Sequence, residues 1–203
     1  METDIILKSA ILFFVLLNPF LMSIYLLDII QEVELKTFAR IILRATIISL
    51  VAFSLFVLGG DTVFTKVFQV RFESFLIFGG IIFLMIGLRF VFEGSEAIRV
   101  IRGDPGRVAG SIAMPFMIGP GTIGASVLAG TQMGPQMGLV AMSLGVIAAS
   151  LGLFLFKIIY DQMRTKNHRL FERYVDITGR VSSLWIGAFA IQMIMSGIKG
   201  WGF

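Results

Sequence analysis

Long uncharged apolar stretches, each closed by charged residues, organise this chain. Ser9 to Leu27 gives 19 such residues, Ala45 to Gly60 gives 16, Ser74 to Leu88 gives 15 and Val181 to Ile198 gives 18. An ionised side chain is costly at the centre of a bilayer, whereas a long Lys or Arg at the edge can turn its head group out to water. Each stretch therefore predicts one membrane-spanning helix, the two shorter ones reaching full length with Arg40, Arg44 and Arg89 at the lipid boundary. Val108 to Phe156 is different, because 49 uncharged residues exceed one span. Within it, Thr131-Gln132-Met133-Gly134-Pro135-Gln136-Met137-Gly138 supplies a turn. The pattern predicts six spans. Continuous apolar runs without alternation of period two argue against a transmembrane β-barrel.

Composition agrees with this reading. With 57% hydrophobic and 15% charged residues and a mean hydropathy of +0.91, a water-soluble globule would expose large apolar patches. Glu2 and Asp4 occupy the place of a basic signal-peptide region and no small-residue cleavage site follows, so the first span is expected to be retained. The chain has no Cys and one His, His168, which removes thiolate chemistry, Cys-ligated metal and most His-based catalysis.

Six spans place both termini on one side with Lys8, Lys66, Arg71 and Lys199. The remaining 13 of the 17 basic residues fall on the other side, among them Arg99, Arg102, Arg107, Lys157, Arg164, Lys166 and Arg180. The positive-inside rule makes that second side cytoplasmic, giving a multi-pass cell-membrane protein with both termini outside. Basic loops drawn to anionic lipid headgroups also account for the net charge of +4 without nucleic acid as a partner.

Three helices precede the charged third loop and three follow it. An odd number forces opposite orientations, so the expected fold is an all-α membrane domain of two inverted three-helix repeats: about 1–95, a cytoplasmic loop at about 96–107, and about 108–203. The first helix of each half is predicted to be broken, at Asn18-Pro19 and at Pro115 with Gly119-Pro120-Gly121. Proline lacks an N–H, so the carbonyl of Val15 is left without its helical partner, and at membrane depth such a break persists only against protein or a wet cavity. Amides freed at the start of a half-helix suit a carboxylate.

No Asp or Glu lies in the predicted cores, which disfavours proton pumps and divalent-cation carriers. Ser126 in Gly124-Ala125-Ser126 has no base to activate it, because His168 lies in a basic loop, and no enzyme activity is expected. Asp161 and Asp176 read as solvated loop charges rather than metal ligands. Among the intramembrane polar residues, Asn18 and Gln192 stand out, because an amide is expensive to leave unpaired.

Four segments carry a family likeness: Asn18-Pro19, Phe78-Gly79-Gly80, Pro115-Phe116-Met117-Ile118-Gly119-Pro120-Gly121, and Arg180 through Gly187-Ala188 to Gln192 and Gly197. In their order and spacing the chain resembles the MarC family of bacterial and archaeal membrane proteins, within a wider LysE-like group of exporters. The chain departs from the family pattern after Asn18-Pro19, where Phe20-Leu21-Met22-Ser23-Ile24 replaces a Gly and a second Pro. The resemblance implies transport of small neutral amino acids such as glycine or alanine; one member is linked by name to multiple antibiotic resistance.

The expected function is alternating-access transport of a small zwitterion of the glycine, alanine and serine class. The expected substrate contacts are Asn18, Pro19, Gly119, Pro120, Gly121, Thr122 and Gln192, with no metal or cofactor, and with Na⁺ or H⁺ left open as a coupling ion. Expected partners are the substrate and membrane lipids, and a homo-oligomer is allowed. The competing readings are a broad exporter or passive channel for small apolar compounds, and a membrane scaffold that transports nothing.

Overall fold

The computed structural model describes residues 2–93, 117–163 and 168–202. Among them every regular element is helical. α1 (Glu2–Leu17) stops at Asn18, and α2 (Pro19–Tyr25) and α3 (Leu27–Glu32) follow as short segments. α4 (Leu35–Thr62) bends at Gly60, whose φ of +50° a side chain resists. It runs into a π-helical turn, Val63–Phe68, that ends on left-handed Gln69. There Phe64 is buried against Phe56, Phe68, Phe72 and Phe75. α5 (Phe72–Glu93) closes the first half; α6 (Pro120–Met133), α7 (Pro135–Met163) and α8 (His168–Gly200) form the described part of the second.

Among the described residues, five helical stretches are long and apolar enough to cross a bilayer: Thr3–Ser23, Leu35–Gly60, Phe72–Glu93, Pro135–Gln162 and Arg180–Gly200. Arg40 and Arg44 are exposed on α4, as their predicted place at the lipid boundary requires. Leu55 and Leu58 on α4, Leu151 and Leu155 on α7, and Leu184 and Trp185 on α8 present an apolar exterior that a hydrocarbon solvent accepts. α6 is different. At 14 residues it is too short to span, and much of it is buried, including Gly121, Thr122, Gly124, Ser126 and Val127. The predicted turn in 131–138 is realised at Gly134 (φ +78°), with Pro135 opening α7.

Glycines let the helix backbones approach closely. α5 and α8 form the most extensive pair and run antiparallel: Gly80 lies against Ala190 and Ile194, Gly87 against Gly187, and Gly197 against Glu73 and Ile77. Gly145 brings α7 onto Ala10 and Phe13 of α1, and Gly130 brings α6 onto the Val57 backbone of α4. α4 also packs on α7. One apolar core, containing Phe13, Leu17, Phe53, Met117, Met142 and Leu153, joins α1, α4 and α7 to the Met117 segment. At the end of α5, the Arg71 guanidinium donates to the Gly200 carbonyl at 3.0 Å, pairs with Glu73 at 3.3 Å and lies over the Trp201 ring.

Candidate functional site

The first break is built by Asn18, which adopts φ +43° and is half-buried. Its own N–H still completes α1 by donating to Phe14 O. The turn of direction comes next: Pro19 offers Val15 no N–H, and the Leu21 N–H goes to Asn18 Oδ1 at 3.1 Å rather than to the Leu17 carbonyl. Asn18 is therefore the N-cap of α2, and its Nδ2 has no partner among the described residues. Pro19 sits where proline is tolerated, at the first helical position, and packs against Gly152 of α7. Asn18→Ala is expected to lower stability by about 1–2 kcal/mol through loss of the cap, and further through the left-handed backbone. Asn18→Gly should cost less, and thermal unfolding in detergent measures both.

The second predicted break, where the described residues show the start of α6, has the same grammar. Gly119 is extended, Pro120 occupies the first position of α6, and the buried Thr122 reaches back over the turn. Thr122 Oγ1 accepts the Gly119 N–H at 3.0 Å and donates to the carbonyl of Met117 (2.9 Å) or Gly119 (3.0 Å). Its hydroxyl is thus engaged in holding the turn together. The N–H groups of Gly121 and Thr122 bond to no carbonyl among the described residues, so the positive end of α6 retains donors. Pro115 and Phe116 lie outside the described residues.

α5 covers this turn. Gly79 meets the Pro120 ring, Leu76 meets Gly124, and the Phe83 ring straddles the two glycines, 3.3 Å from where a Cβ on Gly119 would stand and 2.7 Å for Gly121. Phe189 of α8 closes in at 3.4 Å from the Gly121 Cβ position. The glycines are needed there because two aromatic rings occupy the space of a side chain. The two breaks border one core, since Leu17 and Met22 beside the first and Met117 beside the second belong to the same buried cluster.

Gln192 is not drawn into this arrangement: it is exposed on α8, with Nε2 donating weakly to Ser196 at 3.4 Å. Sequence reading missed two features. Phe83 and Phe189 are two of 20 phenylalanines and carry no local signal. Lys157, counted among the basic residues of the cytoplasmic side, is 2% exposed, and its ammonium donates to the Ile30 carbonyl of α3 at 2.6 Å and to Asp161 at 2.7 Å. It pins the segment after the first break to α7.

Comparison with known proteins gives one consistent result. The family model described as "MarC family integral membrane protein" matches residues 3–202. The chain is 25% identical to the Escherichia coli UPF0056 inner membrane protein YhgN, with 97% of each chain covered. It is 24% identical to a UPF0056 membrane protein of Buchnera aphidicola over 97% of each chain, and 22% identical to one of Aquifex aeolicus over 95% of this chain and 91% of the relative. No solved structure matches.

Proposed function

The chain belongs to the MarC family of integral membrane proteins, and from that premise we propose that it is an alternating-access carrier for small neutral amino acids. The observation that carries the reading is the pair of proline-headed turns bordering one core, one of them leaving the Gly121 and Thr122 amides without acceptors among the described residues. Those amides suit a carboxylate, and the carbonyl that Pro19 leaves unserved on Val15 suits an ammonium, so a zwitterion matches the two breaks together. Phe83 and Phe189 crowd the glycine turn and favour substrates with little or no side chain.

The helix contacts support an inverted-repeat reading, because most survive exchange of the halves. α1 packs on α7 as α6 packs on α4, α2 touches α8 as α6 touches α5, and the α4–α7 and α5–α8 pairs map onto themselves. The exception is α6, which also packs on α7, whereas α1 and α4 are not a principal pair. In this reading α6 completes the fourth of six spans, the basic loops face the cytoplasm, and both termini lie outside.

The test is uptake and exchange of radiolabelled glycine, alanine and serine by reconstituted vesicles, with and without Na⁺ and proton gradients. Saturable exchange that unlabelled alanine suppresses is the expected result. If none of the three moves above protein-free vesicles while the protein remains folded, the proposal fails.

A further inference from the structure

The α8 span, Arg180–Gly200, is the least buried of the five apolar stretches and also the least apolar. In a bilayer those two properties conflict, because lipid offers a polar group on a helix surface no partner. Gln192 is where the conflict is sharpest. It is exposed, and by helical rise it stands about 18 Å from Arg180 and about 10 Å from Lys199, inside the hydrocarbon layer. Its amide offers two N–H groups and a carbonyl oxygen, and among the described residues only one N–H finds a contact, the weak 3.4 Å approach to Ser196. The rest of the protomer does not absorb it either. Ala190 and Ile194 hold Gly80 of α5, and Gln192, two residues from each, lies on the opposite side of the helix.

The exposed residues in line with Gln192 have a definite spacing. Trp185, Ala188, Gln192, Met195 and Lys199 are all exposed and follow one another at intervals of three, four, three and four. That is the heptad spacing of a seam between two helices crossing at a shallow left-handed angle, in which one polar residue fixes register and partner. Ala188, one turn before Gln192, is small enough to let a facing backbone come within reach of the amide.

We infer that this face of α8 is a dimer interface with a second copy of the chain, closed by hydrogen bonds between the two Gln192 amides. The amide selects the partner. Copies related by a two-fold axis along the bilayer normal present parallel α8 helices, so each residue at the centre of the seam meets its own counterpart. A carboxylate or an ammonium repels its twin there. A primary amide does not, because it carries donor and acceptor together and each N–H can serve the other copy's carbonyl. Lys199 lies in the last turn of α8, where its ammonium reaches headgroup water and the paired charges are screened. Pairing on this side leaves the α5–α8 contact of each copy intact, since α5 occupies the other side.

The chain has no cysteine, so a single introduced thiol reports on one position. Oxidation in native membranes should link Ala188→Cys and Met195→Cys proteins into dimers, and should not link Leu151→Cys, which is exposed on α7. Self-association is then measured by energy transfer between dye-labelled copies in vesicles diluted with lipid. Gln192→Leu should weaken it about tenfold while the melting temperature of the protein in detergent holds or rises, and Gln192→Asn, which keeps an amide, should lose less. Wild-type protein that stays monomeric across the dilution series overturns the interface. So does a Gln192→Leu protein that associates as tightly as wild type. Labelling of Gln192→Cys by a membrane-impermeant thiol reagent also overturns it, by putting water rather than a second copy against this position. No substrate enters these measurements, so a monomeric protein with intact alanine exchange removes the interface and leaves the carrier standing.

Discussion

Replacing Gly130 by alanine should destabilise the fold more than any other single methyl group. The added carbon meets the Val57 carbonyl oxygen directly, with the Val57 carbonyl carbon 2.9 Å and Cα 3.1 Å away, and backbone cannot swing aside as a side chain tip does. Relief requires α6 to move off α4, at a cost of about 1–3 kcal/mol or more. Gly145→Ala should behave alike, because its Cβ would stand 2.6 Å from the Ala10 carbonyl oxygen of α1. Gly187→Ala is the control: nothing lies within 4 Å of its Cβ position, and alanine is the better helix former, so its melting temperature should hold or rise. Melting temperature and the monodisperse fraction in detergent check all three. Equal behaviour of Gly130→Ala and Gly187→Ala would mean that the close crossing of α4 and α6 does not exist in the membrane protein.

The second large effect concerns Lys157 and Asp161, and its informative part is the order of two losses. Asp161→Asn leaves the 2% exposed ammonium with the Ile30 carbonyl and a neutral amide. The expected cost is at or below the roughly 3–5 kcal/mol lost when one partner of a buried pair is removed, because the Asp161 side chain is 37% exposed and already shares its charge with water. Lys157→Met frees a carboxylate that water can reach and strands one carbonyl, at about 1–3 kcal/mol. Asp161→Asn should therefore melt lower than Lys157→Met. The reverse order would mean that water reaches the ammonium, contrary to its burial.

Much of the architecture was legible in the sequence for reasons that particular residues supply. Asn18-Pro19 marked the break between α1 and α2, and Gly119-Pro120 the start of α6, because proline removes a donor and Asn or Gly tolerates what a helix terminus demands. The turn before α7 could be read from Gly134-Pro135 on the same grounds. The π-helical turn could not, because Val63 to Phe68 is an unbroken helical-looking run whose geometry depends on where Phe64 packs. The burial of Lys157 was not legible because a charge was taken to mark the end of a span, whereas this one lies six residues before the last residue of α7 and finds its partners on α3 and one turn ahead. Asn18 and Thr122 were expected as substrate contacts because each is a polar group at a predicted break. Their hydrogen bonds to Leu21 N and across the Gly119 turn show that each first builds the break it was chosen to mark. Gln192 was selected by cost at membrane depth, a criterion blind to which side of a helix is exposed.

The helices do not group as the chain order would divide them. α5 and α8, one from each half, are zipped together along their glycines, and beyond each other α5 packs chiefly on α6 and α8 chiefly on α2. The remaining long helices interlock through Gly130, Gly145 and the common core. The described helices therefore have a natural cleavage plane that separates a two-helix arm from a four-helix block, and each piece draws helices from both halves of the chain. Gly79 on Pro120 and Phe83 on Gly121 lie on that plane. Sliding the arm would uncover or seal the glycine turn without disturbing the block, so this seam is where the packing resists movement least.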